Sequence, residues 1–496
     1  MITRLYLRRT SLLIMAALST ACAARSGVVV PLTTDVRSAE QATTAYLASI
    51  HNDPVKLALF LRQMPKGGDL HSHLSGAVYA ETFLRWAAED GTCIELATFT
   101  LVRPPCDRDG RIAASDALNN GTLYGDVIDA WSMRNWHPAK EQNGHDQFFD
   151  TFGKFGLASG SARTADMLAE VAARAAAGNV SYLELMWTPS GSGASALGRA
   201  TGLDADLMRT RDRLLQAGLR DSVANASRRL DTIFARQRAA LGCATASPDP
   251  GCNVEVRVLY QVLRAIPPEQ VFAHLVAAFE MAASDPRVVG FNMVQPEDDM
   301  VAMRDFRQQM RMIQALRPLY PAVRFTLHAG ELAPGLVPPE GLRFHIRESV
   351  RVAGASRIGH GVDIAHEDSA VSLLQQMARD SILVEIALTS NAGILGIEGR
   401  EHPLHLYMQY GVPVALATDD EGVSRSDMTH EYLRAVQDQW ISYTALKRLA
   451  ENSLRYSFAD PATKSRLLAQ LERDFAAFEA SWSSTAASSP RRSSPD

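Results

Sequence analysis

The feature that most constrains this chain is an alternation. Short apolar runs are followed by longer stretches with helical spacing, and the pattern repeats eight times between residues 67 and 422. The runs are "GGDLHSHL" (67–74), "VSYLELMW" (180–187), "VEVRVLYQV" (254–262), "VVGFNMVQ" (288–295), "VRFTLHAGE" (323–331), "SRIGHGVD" (356–363), "SILVEIALTSN" (381–391) and "VPVALATDDEG" (412–422). Most are near-continuous in apolar residues, as expected of strands buried on both faces. Between them lie "TADMLAEVAARAAAG" (164–178), "PEQVFAHLVAAFEMAA" (268–283), "DMVAMRDFRQQMRMIQAL" (299–316) and "SAVSLLQQMARD" (369–380), whose apolar residues recur at helical intervals. Strand and helix in strict alternation imply a parallel sheet with crossover helices, and eight repeats predict an α/β fold, a (β/α)8 TIM barrel.

Two connections are too long for plain crossovers. Residues 85–163 separate the first two strands, and 188–253 separate the second and third. Insertions of this size after barrel strands are expected over the active face, as lids or partner surfaces. The ends of the chain read differently. "MITRLYLRRTSLLIMAALSTACAARSG" has a basic start (Arg4, Arg8, Arg9), an apolar run over 11–21 and small residues beyond, which is an export signal over residues 1–24. It predicts a periplasmic, lipid-anchored or extracellular protein. "RRTSLL" resembles a twin-arginine signal, and Cys22 after "LSTA" resembles a lipoprotein cleavage site and so a lipid anchor. Residues 25–45 read as a polar lead-in, and 46–64 as a helix ending at Pro65. The barrel is expected over 65–480, and the Ser/Pro-rich 481–496 as a disordered tail.

Composition narrows the class of partner. The formal net charge of −5 leaves no electrostatic footprint for nucleic acid. No apolar run after the signal is long enough to span a bilayer. The remaining cysteines form two local couples without CxxC spacing, so a cysteine zinc site is not expected. In an oxidising compartment Cys93–Cys106 and Cys243–Cys252 would each close a short loop.

The polar residues that could carry chemistry stand at strand ends, where barrel enzymes keep their active sites. His71 and His73 end strand one. His328 ends strand five, with Glu331 three residues on. His360 lies on strand six, and Asp419 and Asp420 end strand eight. Three imidazoles and one carboxylate (His71, His73, His328, Asp419) suit a single Zn2+ with a position left for water. Glu331 is then a candidate general acid, and His360 a group that orients or deprotonates the water. Loop geometry would have to turn Asp420 toward substrate.

"MPKGGDLHSHLSGAV", "FTLHAGE", "RIGHG" and "ATDDEG" together resemble the adenosine deaminase family of zinc amidohydrolases over roughly residues 60–460. The resemblance implies a barrel of the metal-dependent hydrolase type holding one zinc. It also implies hydrolysis of the 6-amino group of a purine nucleoside. It assigns metal ligation to His71, His73, His328 and Asp419, protonation of purine N1 to Glu331, the attacking water to His360, and N7 to Asp420. The export signal and inserts resemble those of the secreted adenosine deaminase-related growth factors. This chain departs from the family pattern in substrate positions. Ser75 replaces the Asp that binds the ribose 5′-hydroxyl, Gln295 replaces a Gly beside the purine, and Asn292 replaces an Asp. Two other readings stay open at this point. One is another mononuclear zinc amidohydrolase acting on a different aminopurine or pterin; the other is an exported binding protein on an inactive barrel. Strand four lacks the Lys or Glu that bridges two metals, which favours one ion.

Overall fold

In the computed structural model, which describes residues 36–138 and 142–488, eight parallel strands follow one another in chain order around one sheet. They are β1 (Gly67–His73), β2 (Val180–Trp187), β3 (Glu255–Leu263), β4 (Val288–Val294), β5 (Arg324–Ala329), β6 (Arg357–His360), β7 (Leu383–Ile386) and β8 (Val414–Leu416). The sheet closes on itself beyond β8. The Asp419 N–H donates to the His71 carbonyl at 2.9 Å, and the His73 N–H donates to the Asp419 carbonyl at 2.9 Å. The result is a (β/α)8 barrel. The expected helices appear at Thr164–Ala177, Pro268–Ser284, Met300–Leu316 and Ala370–Arg379. The Met300 helix starts where the Asp299 carboxylate accepts the N–H groups of Val301 and Ala302, the usual N-cap arrangement.

Several boundaries differ from expectation. The run 381–391 is strand only over Leu383–Ile386, and Leu388–Leu395 is helix. Only the first part has ladder partners on both sides, in Arg357–Gly359 and Val414–Leu416. Past the barrel rim the backbone satisfies itself in a helix, which ends at Gly396 with φ +67°. Strand β8 is likewise shorter than 412–422, so Asp419 and Asp420 sit on irregular backbone. The polar lead-in is helical from Val36. The helices Val36–Ile50 and Pro54–Gln63 are parted by Pro54, with Asp53 as the cap of the second. They pack against the closing helix Pro461–Ser488, with Tyr46 and Trp482 rings 5.0 Å apart and Phe60 and Phe478 rings 4.9 Å apart. That helix extends into the segment expected to be tail. The signal, Cys22 and residues 489–496 lie outside the described residues.

Both disulfides are formed, Cys93–Cys106 and Cys243–Cys252. The first insert holds a small antiparallel sheet (Cys93–Glu95 between Thr100–Val102 and Arg111–Ala113) and sends the helix Gly144–Phe155 to the barrel mouth. The second insert does not cover the mouth, contrary to expectation. Its helices Gly193–Thr201, Leu207–Gln216 and Leu219–Ala240 lie against Pro268–Ser284 and Thr164–Ala177 on the barrel flank. Ion pairs of Arg220 with Glu280 and of Arg287 with Asp231 join the last of these helices to the flank. Among the described residues, no helix is long and apolar enough to cross a membrane.

Candidate metal centre and catalytic pocket

Because His71 and His73 are alternate residues on a strand end, both rings can face the barrel mouth. The structure brings His328 of β5 between them. His71 Nε2 lies 3.0 Å from His328 Nε2, and His73 Nε2 lies 3.2 Å from the same atom. Asp419 Oδ1 is 3.4 Å from both His71 Nε2 and His73 Nε2, is buried, and accepts no hydrogen bond. Ring nitrogens at such separations repel through their lone pairs unless something positive stands among them. Despite burial, which pulls the other way, the carboxylates Asp419 and Glu385 raise His71 to about 10. The spot beside its Nε2 therefore favours positive charge, which a cation supplies as well as a proton. The donor set of imidazole nitrogens and one carboxylate suits zinc. Candidate ligand atoms fall in two overlapping sets, His71, His328, His360 and Asp419, and His73, Asp419 and Asp420, each within 4.8 Å.

Each group is braced from behind. Glu385 Oε2 lies 2.6 Å from His71 Nδ1, so a neutral ring would carry its proton there and turn a bare Nε2 toward a cation. Arg357 Nε donates to the other oxygen of Glu385 at 2.6 Å and its Nη2 donates to Glu184 at 2.5 Å, all buried at the barrel centre. Gln261 Oε1 faces His73 Nδ1 at 3.3 Å, Asn292 Oδ1 accepts the His328 N–H at 2.9 Å, and the Ser390 hydroxyl donates to Asp419 Oδ2 at 2.6 Å. Asn292, the departure on strand four, is thus a brace for β5. Backbone at three strand ends is left-handed without glycine: Gln295 (φ +86°), His360 (φ +68°) and Asp419 (φ +59°). Such positions cost about 1–3 kcal/mol each and are typical of functional sites.

Glu331 sits beside this cluster, its Oε1 3.7 Å from His360 Nε2. Burial, then the charges of Asp419 and Glu297, push its carboxyl well above the ordinary range, which favours its protonated form. Glu297 fixes the loop, accepting the N–H groups of Gly330 at 3.0 Å and Glu331 at 2.8 Å. Asp420 is raised too, by burial and by Asp419, and packs where Gly76 leaves room; a Cβ there would lie 1.5 Å from Asp420 Oδ1. A cavity of about 290 Å³ opens onto the cluster. His73, His328, Asp419, Glu331, Asp420, Ser75 and Gln295 line it. His71 and His360 are buried beneath it. The structure therefore brings all the sequence-predicted site residues to one place.

Residues 133–474 match the family model described as "Adenosine deaminase". The chain belongs to the adenosine deaminase family. Adenosine deaminases of Shewanella loihica and Serratia proteamaculans are 33% and 35% identical to it over 145 and 146 residues, 29% of this chain in each case. The chain spans about two fifths of the length of these curated relatives, 40% and 41%. The barrel resembles an adenine deaminase from Arthrobacter aurescens (TM-score 0.55, 18% identity, covering 82% of this chain and 98% of that one). It also resembles an N6-methyl-AMP deaminase from Arabidopsis thaliana (TM-score 0.53, 20% identity, 84% and 98%). A Burkholderia ambifaria amidohydrolase with bound zinc has TM-score 0.51 at 18% identity, covering 86% and 94%. The family match begins after β1, so it is the folded barrel that joins His71 and His73 to the matched residues His328 and Asp419.

Sequence reading missed the braces Glu385, Arg357, Glu184, Gln261 and Ser390, the pair Asn391 and His402, and the clamp Glu297. It also missed Phe148, Phe149 and Phe152, which line the cavity from the first insert. Some signals were present. Glu184, Arg357 and Glu385 are charges embedded in runs otherwise buried on both faces, where an unpaired charge is costly. "QFFDTFGKF" places aromatics at helical spacing.

Proposed function

We propose that this chain is a zinc-dependent hydrolase that removes the 6-amino group of adenosine or a related 6-aminopurine nucleoside, releasing ammonia. The observation that carries the reading is the convergence of His71, His73, His328 and Asp419 beside a buried Glu331 whose carboxyl is pushed upward. Those four residues would hold one zinc ion. When bound, zinc supplies a Lewis acid that makes water nucleophilic at neutral pH. Glu331 gives its proton to N1, which leaves C6 electron-poor. A C6–O bond forms with water, and the C6–N6 bond breaks. One hydrogen of the water leaves with the amine as ammonia, and the other restores Glu331. His360 holds the incoming water, and Asp420, as a neutral carboxyl, donates to N7.

The cavity lining supports a nucleoside over a nucleotide. Arabidopsis relatives are recorded as complexes with IMP and GMP. Here, among the described residues, the lining has no Lys or Arg to meet a phosphate, and Phe148, Phe149 and Phe152 form one wall. Two disulfides support our proposal that the protein is exported to an oxidising compartment. The test is ammonia release by zinc-loaded protein from adenine, adenosine, 5′-deoxyadenosine and AMP. We expect turnover of the nucleosides. Turnover of AMP above adenosine, or of none of the four, would overturn the proposal.

A further inference from the structure

Of the imidazoles around the centre, His360 alone has its Nδ1 facing a donor. A hydrogen-bond chain behind it starts from a group that has no tautomer. Leu404 opens the helix Leu404–Gln409, so its N–H has no carbonyl partner within that helix. It donates to His402 Nδ1 at 3.2 Å. A backbone amide can only donate, so His402 Nδ1 is a lone pair. Burial takes His402 to about 3, so the ring is neutral and its proton sits on Nε2. That N–H faces Asn391 Oδ1 at 3.1 Å. The amide is thereby oriented, and Asn391 Nδ2 donates to His360 Nδ1 at 3.0 Å. His360, Asn391 and His402 are all buried, so no solvent competes. His360 Nδ1 is therefore a lone pair, and the ring's proton is on Nε2, the nitrogen that faces the metal centre.

We infer that Asn391 and His402 lock His360 as an N–H donor toward the reacting oxygen, so that it neither ligates the metal nor takes a proton from water. His71 makes the contrast. Its Nδ1 faces the Glu385 carboxylate, so in the neutral ring Nε2 is the lone pair, fit to bind metal. His360 stands within 4.8 Å of the same ligand atoms, yet points a hydrogen at them. Among the described residues its Nε2 makes no hydrogen bond, Glu331 Oε1 lying 3.7 Å away, so that hydrogen is left for the oxygen that attacks C6. The donor then strengthens its bond as negative charge grows on that oxygen. This assignment rests on the deamination reading. Asn391 and His402 are positioning residues, acting only through His360.

The direct test is the tautomer in zinc-loaded wild-type protein carrying 15N-histidine. Long-range 1H–15N spectra separate the two neutral tautomers and the cation, and His360→Gln identifies the His360 peaks by their loss. The expected pattern is a protonated Nε2 and a bare Nδ1. A bare Nε2, or an imidazolium, would overturn the assignment. In Asn391→Asp a carboxylate replaces the donor, so His360 must move its proton to Nδ1. We expect the spectrum to swap, zinc content to hold, and kcat to fall about 10²-fold with KM little changed, the loss typical of one oxyanion donor. A swapped spectrum with wild-type kcat would refute the donor role. If Asn391→Asp does not fold, the wild-type spectrum still decides. If no purine is deaminated, the functional reading fails while the spectrum still reports on the lock.

Discussion

Gly359, on β6, leaves the space that the His71 ring occupies. A Cβ built there would lie 2.6 Å from His71 Cε1 and 2.9 Å from Nδ1. Carbon atoms in contact rest at about 3.5–4.0 Å, so in Gly359→Ala the ring or the strand must give by about 0.9 Å. The ring has no slack: Nδ1 is held by Glu385 at 2.6 Å, and Nε2 stands 3.0 Å from His328 Nε2. The strand has little, being laddered to β5 and β7. Metal–ligand distances tolerate only about 0.2 Å. Overpacking of this kind costs about 1–3 kcal/mol of stability. Disturbing the support of one metal ligand weakens binding by about 10- to 100-fold. Gly359→Ala should therefore fold with a lowered Tm and lose zinc to a competing chelator at least about tenfold more readily than wild type. Chelator competition followed by metal analysis reads this directly. Wild-type zinc retention and kcat in a folded Gly359→Ala protein would show that His71 is not held as a ligand in this position.

Glu331→Gln keeps the shape but cannot give up a proton, and removal of a general acid costs about 10²–10⁴ in rate; kcat should fall by that much with zinc retained, and a variant within about fivefold of wild type would assign the proton to another group. Ser75 is neutral and shorter than the family's Asp, so kcat/KM for adenosine and 5′-deoxyadenosine should lie within about tenfold of each other, because a hydrogen bond to a charged acceptor would be worth about 1.5–3 kcal/mol. Ser75→Asp should widen the gap; a wild-type preference for adenosine of about a hundredfold would refute the tolerance. Zinc at a hundred times its Kd stabilises by about 2.7 kcal/mol, so chelation should lower Tm, and an unchanged Tm on demonstrated zinc loss would contradict the site.

Much of this was legible in the sequence because the barrel imposes a simple rule. Strands buried on both faces are apolar, so a histidine or carboxylate at a strand end stands out. His71, His328, His360 and Asp419 were visible for that reason. Strand ends were read too long because apolar composition continues past the rim, as in "ALTSN", while ladder partners do not. The braces were harder. Glu385 meets His71 across 314 residues and Arg357 meets Glu184 across 173, pairings that exist only once the sheet has closed. The aromatic wall escaped because an insert's docking depends on shape rather than on periodicity.

The closure of the barrel and the metal centre are one piece of structure. The two backbone hydrogen bonds that join β1 to the chain beyond β8 are made by His71, His73 and Asp419, and the side chains of the same three residues converge on one point with His328. Asp419 can do both because its left-handed backbone presents its N–H and carbonyl to β1 while its carboxylate faces the mouth. A regular extended residue would send that side chain along the alternation of the strand. The strain at Asp419 is offset by the two seam hydrogen bonds and by the Ser390 hydroxyl on Oδ2. A cation held by His71, His73, His328 and Asp419 would tie β1, β5 and β8 together at the one junction where the sheet has only an isolated bridge instead of a ladder. The insert after β1 can then be long and carry its own sheet and disulfide, because the register of β1 is set by its ladder with β2 and by its seam, and not by the length of its connection.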